Sequence, residues 1–147
     1  VDPRHIEFQV LADKAGNVRI EGLPFADVDQ AKAARHVIVT CEELVDSEYL
    51  RRRGEANQLP FFCVDAVVQV PMGAYPTACY RHYDYDPEFL NRYREWAGDD
   101  ARHEAYLQRF VHGVSEHAAF LNLQHADQLA RIKADSRTGY AKGLDRK

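Results

Sequence analysis

The chain has 147 residues, a length suited to one domain, and 46% of them are hydrophobic while 29% are charged, as in an ordinary globular protein. Its net charge of -4 argues against a dedicated nucleic-acid binder, whose surface is normally basic. No apolar run approaches the roughly 18 residues that cross a bilayer, so neither nucleic acid nor a membrane is an expected partner. The odd set Cys41, Cys63 and Cys79 does not suggest a disulfide framework, and we expect a cytoplasmic location.

Strand-like segments dominate the first half of the chain. Predicted strands cover four stretches: residues 6–11, 18–21, 37–40 and 61–70. The first two are joined by a turn at residues 13–17, where Gly16 and Asn17 suit a positive φ. The fourth is a β-branched, mostly apolar run, which predicts a strand buried on both faces.

Short helices are predicted between these strands. Asp27 can cap a helix over residues 28–34, because its carboxylate can accept the free amides of the first turn. Asp46 or Ser47 is expected to cap a second short helix in the same way. Residues 41–44 are expected to form a turn or a short helix.

The second half of the chain is predicted to be helical. Four helices are expected, over residues 87–96, 101–111, 115–123 and 126–134. Asp86 at the cap and Pro87 at the first helical position give the first of them a strong start. Three side chains of the second are predicted to face inward: Ala105, Leu107 and Phe110. Residues 135–147 form a polar tail, expected to be mobile or docked on a partner. The order of elements predicts an α/β fold, with an open, mainly parallel sheet and a helical C-terminal region.

A tight Pro/Gly loop follows the predicted strand 61–70. In open α/β sheets, loops at strand ends are where small ligands bind. Glycine there permits a backbone conformation that exposes amides or lets a ligand approach closely. We therefore predict a substrate-binding loop made of Met72, Gly73, Ala74, Tyr75 and Thr77. The alternative is an ordinary connection between a strand and a helix.

Several short motifs follow one another in a specific order. They are the turn Asp13-Lys14-Ala15-Gly16-Asn17, a strand running into Glu42-Glu43-Leu44-Val45-Asp46, and the strand Val64-Asp65-Ala66-Val67-Val68. This order resembles the A subunits of class I coenzyme A (CoA) transferases. The loop at residues 71–77 followed by Tyr83-Asp84-Tyr85-Asp86 is similar, more narrowly, to the A subunits of the glutaconate CoA-transferase group. The resemblance covers residues 6–120.

The resemblance implies a CoA-transferase or Rossmann-like fold and a reaction that moves CoA from an acyl-CoA to a carboxylic acid. It implies a partner B subunit, whose glutamate forms a glutamyl-CoA intermediate, so we expect no catalytic residue in this chain. The CoA thioester would be a substrate, with no bound cofactor and no metal. Because A subunits of the family carry about as much chain again before this point, we expect residues 1–147 to be the C-terminal portion of one CoA-transferase-type domain, inactive without the N-terminal part.

Two alternatives remain open for the function. Relatives of this family that lack the nucleophile hydrolyse a ring or remove a carboxylate from a CoA ester. A non-catalytic interaction module is the other alternative. The partner distinguishes transfer from the first of these, because transfer needs a glutamate nucleophile in the B subunit.

Some side chains suggest chemistry of their own. Glu42 and Glu43 are carboxylates of the kind that attack thioesters, but the resemblance places the nucleophile in the B subunit and favours a structural role here. The three cysteines and His82 could be considered as ligands of a zinc ion. Only Cys79 and His82 lie close together in the sequence, however, and structural zinc sites usually have two such pairs. A Cys79–His82 dyad is disfavoured, since nucleophile and base usually meet across the fold.

Two clusters could contact CoA. Tyr80, Tyr83 and Tyr85 with Arg81 resemble a stacking surface for adenine, although an aromatic cluster before a helix is more often a packing lid. The basic run at residues 51–53 could bind CoA phosphates, because guanidinium groups bind phosphate in bidentate fashion. A charge run at a helix end is more often solvated.

Overall fold

A computed structural model of the chain describes residues 10–144. It contains two compact units, which divide between Ala74 and Tyr75. Strands, including two parallel pairs, belong mainly to the first unit, and helices dominate the second. The predicted α/β class with a helical C-terminal region is therefore confirmed.

The first unit is built from short strands and helices. In chain order these are β1 (Val10–Ala12), β2 (Val18–Ile20), α1 (Asp27–Ala33), β3 (Ile38–Cys41), β4 (Glu43–Leu44), α2 (Ser47–Arg51), two 3₁₀ turns (Gly54–Ala56 and Phe61–Cys63) and β5 (Ala66–Gln69). Strand β1 lies between β2, to which it is antiparallel, and β4, to which it is parallel. Strands β3 and β5 form a separate parallel pair. Of the predicted strand 6–11, only residues 10 and 11 lie within the described part of the chain.

One face of each strand supplies the core of this unit. The buried core consists of Ala12, Val18, Ile20, Ala31, Val37, Val39, Cys41 and Leu59. Successive side chains of a strand point to opposite faces, so Val39 is fully buried while its neighbour Ile38 is 41% exposed. The β3–β5 register pairs Val39 with Val67, which packs against the same core.

The prediction for residues 61–70 was wrong in length and in burial. Phe61 and Phe62 lie in a 3₁₀ turn and are largely exposed, so the strand starts only at Ala66. Val68 is 46% exposed, because β5 packs on one face through Val67. An apolar run thus marked a strand here, but it did not determine how much of that strand is covered.

Local signals at the helix starts had mixed success. Asp46 caps α2 as predicted and accepts a hydrogen bond from the Glu48 amide at 2.8 Å. Asp27 is not the cap of α1: it is the first helical residue, and its carboxylate accepts the Phe25 amide at 2.9 Å. Residues 41–44 were predicted as a turn or short helix, but Cys41 ends β3 and Glu43–Leu44 form β4. The backbone of Glu43–Leu44 pairs with the edge of β1, which satisfies its hydrogen-bonding groups.

The second unit is a small helical assembly. It contains α3 (Pro87–Ala97), α4 (Asp100–Leu107), a π-helical turn (Gln108–His112), α5 (His117–Asn122), α6 (Ala126–Ile132), β6 (Ala134–Asp135) and β7 (Tyr140–Ala141). Asp86 caps α3 as predicted, accepting the Phe89 amide at 3.0 Å. Phe89 is the centre of an aromatic core and contacts the rings of Tyr75, Trp96, Tyr106, Phe110 and Phe120.

Two predictions in this unit are modified by the structure. Ala105 is exposed, and Tyr106 contacts the aromatic core in its place; Phe110 is buried as predicted. Part of the predicted polar tail forms an antiparallel hairpin of β6 and β7. The Ala141 amide of this hairpin donates a hydrogen bond to the buried Asp84 carboxylate at 3.0 Å. Residues 145–147 of that tail lie outside the described residues. Within residues 10–144, none of the helices has the length and hydropathy that crossing a bilayer requires.

Candidate functional site

The predicted substrate-binding loop begins where β5 ends. Its first residues, Met72, Gly73 and Ala74, belong to the first unit, and Tyr75 and Thr77 belong to the second. Met72, Gly73 and Ala74 are half-buried, Thr77 is exposed, and Tyr75 is buried. The five residues therefore have different surroundings, although the sequence suggested one common role.

Met72, and not Gly73, takes the unusual backbone conformation of the loop. The φ of Met72 is 58°, in the left-handed region that residues other than glycine rarely adopt. Gly73 has no positive φ. Gly73 is needed for space: a Cβ at this position would lie 2.9 Å from the Val70 carbonyl oxygen and 3.3 Å from the Val70 Cβ. The Gly73 amide also donates to that carbonyl at 2.9 Å. Glycine is thus required at position 73 because the chain passes close to Val70, and not because the backbone needs a positive φ there.

The Glu42 carboxylate holds this turn. Its Oε2 accepts a hydrogen bond from the Met72 amide at 2.8 Å. The Glu42 carbonyl accepts another from Gln69 Nε2 at 3.2 Å. Glu43 lies in β4 and is exposed. The two adjacent glutamates therefore have separate surroundings, and only Glu42 supports the predicted loop.

Asp13 organises the turn at residues 13–17. The Asp13 side chain is fully buried and accepts hydrogen bonds from the Ala15 amide at 3.0 Å and from the amide and side chain of Asn17, both at 2.9 Å. Burial raises the pKa of this carboxyl, but hydrogen bonds from Asn17, Ser47 and Ala15 outweigh it and hold the pKa below its ordinary value. Gly16 has a φ of 99°, so the predicted positive φ in this turn is confirmed.

Tyr75 is an anchor of the second unit. Its hydroxyl donates to Asp86 Oδ2 at 2.7 Å, and its ring contacts Phe89 and Phe120. Burial, and then the hydrogen bond to Asp86, raise the pKa of this phenol far above its usual value. The peptide bond between Tyr75 and Pro76 is cis. With 6% of its surface exposed and its hydroxyl bound to Asp86, Tyr75 is placed less favourably for substrate contact than the sequence suggested.

The Tyr-Asp-Tyr-Asp motif is largely buried. Tyr83, Asp84 and Asp86 are buried, and Tyr85 is half-buried. A buried ring such as Tyr83 cannot serve as a stacking platform for adenine. Tyr80 instead meets Tyr140 edge to face, with ring centroids 5.7 Å apart. This arrangement favours the packing lid over the adenine surface.

Among residues 10–144, a cavity lies in each of the two units. In the second unit, a cavity of about 570 Å³ is lined by residues that include Gln128, Arg131, Lys133, Asp135 and Lys142. Two of its cations are paired within the unit, Arg131 with Glu88 at 3.0 Å and Lys142 with Asp135 at 2.9 Å.

The cavity of the first unit lies beside the basic run at residues 51–53. Its volume is about 500 Å³, and Asn17, Ser47, Arg51 and Asn57 line it. Arg51 is exposed and lies 4.0 Å from Glu48. This surrounding favours a solvated basic run. In residues 10–144, no group of three or more histidine, cysteine, aspartate or glutamate side chains could hold a metal ion, so the zinc set considered above is not assembled there.

Sequence reasoning missed two contacts that define this region. The Glu42–Met72 hydrogen bond joins positions 30 residues apart, and no local sequence pattern predicts it. Asp86 was expected only as a helix cap. Its carboxylate also accepts hydrogen bonds from the Tyr75 hydroxyl and, at 2.6 Å, from Gln128 Nε2. A capping aspartate next to several tyrosines was the only available signal for the second contact.

Comparison with known proteins places these motifs in a family. No family model matches the chain. The chain is 41% identical over 129 residues to the A subunit of glutaconate CoA-transferase from Acidaminococcus fermentans, covering 88% of this chain and 40% of that protein. It is 30% identical over 109 residues to the A subunit of 3-oxoadipate CoA-transferase from Pseudomonas knackmussii, covering 74% of this chain and 38% of that protein.

Solved structures agree with the sequence comparison. The crystal structure of glutaconate CoA-transferase from Acidaminococcus fermentans superimposes with a TM-score of 0.87 and 40% identity, covering 96% of this chain and 44% of that one. A variant of the decarboxylase AibA/AibB matches with a TM-score of 0.57 and 38% identity over 68% of this chain and 35% of that one. The chain thus spans less than half the length of these relatives. By sequence and by fold, it belongs to the family of the CoA-transferase A subunits.

Proposed function

We propose that this chain forms part of the A subunit of a heteromeric CoA-transferase, which moves CoA from an acyl-CoA to a carboxylic acid. The observation that carries the proposal is the 41% identity over 129 residues to the glutaconate CoA-transferase chain, supported by the TM-score of 0.87 for the solved enzyme. Because the chain spans 40% of that relative, we assign the activity to the assembled enzyme rather than to residues 1–147 by themselves.

In this proposal, the nucleophile is a glutamate of a partner B subunit. Its carboxylate attacks the acyl-CoA thioester, forms an acyl-glutamyl anhydride and releases the CoA thiolate. The thiolate then attacks the glutamyl carbonyl, which gives glutamyl-CoA and frees the first acid. The acceptor carboxylate takes CoA by the same two steps in reverse. This chain supplies no nucleophile, cofactor or metal ligand, and the N-terminal part of the A subunit completes its fold. Its cytoplasmic location stays a prediction from the cysteine count.

The substrate would contact the loop after β5. We assign contact to Met72, Gly73, Ala74 and Thr77, since ligands of open α/β sheets bind beyond the strand ends. The left-handed Met72 and the absence of a Cβ at Gly73 support this assignment, because both shape the backbone where a thioester would approach. Tyr75 is buried and is given a positioning role in place of the contact first expected of it.

Reconstitution tests the proposal. The complete A subunit that carries these residues would be co-expressed with its B subunit, and the purified complex given an acyl-CoA and acetate or glutaconate. Appearance of the acceptor's CoA ester, resolved by chromatography, is the expected result. The 147-residue chain alone is the control and should transfer nothing. Transfer by this chain alone at ordinary enzyme rates would contradict the proposal.

A second candidate is removal of a carboxylate from a CoA ester. The likeness to the AibA/AibB decarboxylase, at 38% identity, is the observation in its favour. The same complex would then release carbon dioxide from a carboxylated acyl-CoA without an acceptor acid. A chain that stays monomeric and binds no CoA ester would instead favour the interaction module.

A further inference from the structure

We infer that Glu42 is a positioning residue of the proposed CoA-transferase: its carboxylate sets the backbone of residues 72–74 in the conformation that receives substrate. The inference rests on the proposed function and extends it to a residue that need not touch the substrate. The Glu42 Oε2 atom lies 2.8 Å from the Met72 amide nitrogen, a distance typical of a short charge-assisted hydrogen bond.

The contact lies at a strained point of the backbone. Met72 adopts φ 58°, a conformation that persists in residues other than glycine only where the surroundings impose it. An ionised carboxylate is a strong acceptor for one backbone amide, so Glu42 favours this conformation over the relaxed alternatives. Gly73 folds back onto Val70 in the same turn, its amide 2.9 Å from the Val70 carbonyl.

The strands hold both ends of the contact in place. Cys41 and Gln69 are paired in the parallel β3–β5 ladder, and the Val70 amide donates to the Cys41 carbonyl at 2.9 Å. Gln69 also reaches the Glu42 carbonyl through its side chain. Glu42 and Met72 therefore leave adjacent strand ends, and a side chain as long as glutamate spans the gap to the amide.

Substitution of Glu42 distinguishes positioning from chemistry. Glu42→Ala removes the acceptor, and we expect kcat/KM of the assembled enzyme to fall about tenfold, mainly through KM, since a displaced loop impairs binding. Glu42→Gln keeps an acceptor oxygen without the charge, and we expect activity within about threefold of the unsubstituted enzyme because a neutral hydrogen bond is weaker but retains the geometry. Glu43→Ala, next to it and exposed, is the matched control and should behave as the unsubstituted enzyme.

Each outcome decides the question. If Glu42→Gln loses activity as fully as Glu42→Ala while its Met72 amide exchanges as in the unsubstituted enzyme, the charge itself takes part in the reaction and the positioning role is wrong. If Glu42→Ala matches Glu43→Ala, the contact has no role in substrate binding.

Hydrogen exchange of the Met72 amide gives a readout that does not need turnover. We expect exchange in the assembled enzyme to accelerate at least about tenfold in Glu42→Ala and little in Glu42→Gln, because only the first removes the acceptor. Unchanged exchange in Glu42→Ala overturns the inference. An unsubstituted complex that transfers no CoA refutes the proposed function instead, and the inferred role in its reaction falls with it, whatever the exchange shows.

Discussion

The hydroxyl of Tyr75 donates a hydrogen bond of 2.7 Å to the carboxylate of Asp86, and both side chains are almost wholly buried. The same carboxylate accepts hydrogen bonds from Gln128 Nε2 at 2.6 Å and from the Phe89 amide at 3.0 Å. Asp86 thereby caps α3 and ties the first residue of the second unit to two of its helices. A residue that the loop motif offered as a substrate contact is part of the core of this unit.

Replacement of Tyr75 by phenylalanine should destabilise the second unit. The ring contacts remain, but the buried Asp86 carboxylate loses one donor, which costs about 1.5–3 kcal/mol for a hydrogen bond to a charged group. Urea unfolding followed by circular dichroism measures the change. Tyr49→Phe, at an exposed tyrosine, is the control and should change the free energy of unfolding little. Equal stability of Tyr75→Phe and the parent chain would show that this hydrogen bond contributes nothing.

Asp13 should make the stability of the first unit dependent on acidic pH. Its pKa is lower in the folded chain than the ordinary value of 3.8, so the unfolded chain binds the proton more readily. The stabilisation is therefore present above the unfolded pKa and is lost as the pH falls through the folded pKa. Asp13→Asn should lower the free energy of unfolding by about 1–3 kcal/mol at neutral pH and flatten its decline below about pH 4.

Unfolding measured across this pH range tests the prediction. Asp29→Asn, at an exposed position of α1, is the matched control. A pH profile of Asp13→Asn parallel to that of the parent would contradict the proposed contribution of Asp13.

Even the smallest side chain at position 73 should lower the stability of the chain. Alanine would place its Cβ 2.9 Å from the Val70 carbonyl oxygen, so the turn must shift. We expect Gly73→Ala to cost about 1–3 kcal/mol, as overpacking does, and to impair CoA transfer by the assembled enzyme. Gly54→Ala is the control, since nothing lies within 4 Å of its Cβ position. Both variants would be compared by thermal unfolding and by kcat/KM; identical behaviour would show that the close approach at Gly73 is dispensable.

The cysteines should differ in reactivity. Burial, and then the nearby Glu42, raise the pKa of the Cys41 thiol to about 11, and the thiolate is the reactive form. Cys63 is half-buried. Iodoacetamide at about pH 8 should therefore modify Cys63 before Cys41, with both reacting once urea unfolds the chain. Peptide mass spectrometry at timed intervals follows the order, and early modification of Cys41 in the native chain would contradict it.

Most of the short-range signals in the sequence were reliable, although Asp27 does not cap α1 as predicted. Asp46 and Asp86 cap the helices they precede, and the turn at residues 13–17 contains the expected positive φ. These features depend on a side chain and on amides within four residues, so a local pattern is sufficient to predict them. The order of such motifs also predicted the CoA-transferase resemblance, which the comparisons confirm.

Long-range contacts decided the rest. The apolar run at residues 61–70 predicted a strand, yet only Ala66–Gln69 pairs with β3, and Phe62 is 75% exposed. Burial depends on which other segments lie against a strand, and that is not encoded in the period of its own residues. Residues 43 and 44 joined β1 for the same reason, because a free strand edge satisfies their backbone groups.

The sequence by itself determined the α/β class, the loop after β5 and the family to which the chain belongs. Only the tertiary structure decided that Met72 carries the left-handed conformation, that Glu42 holds it from 30 residues away, and that Tyr75 is buried against Asp86. The physical reason is that a carboxylate such as Glu42 or Asp86 can satisfy many different donors. Which donor it meets is set by the register of strands and by the packing of helices, both of which join distant parts of the chain.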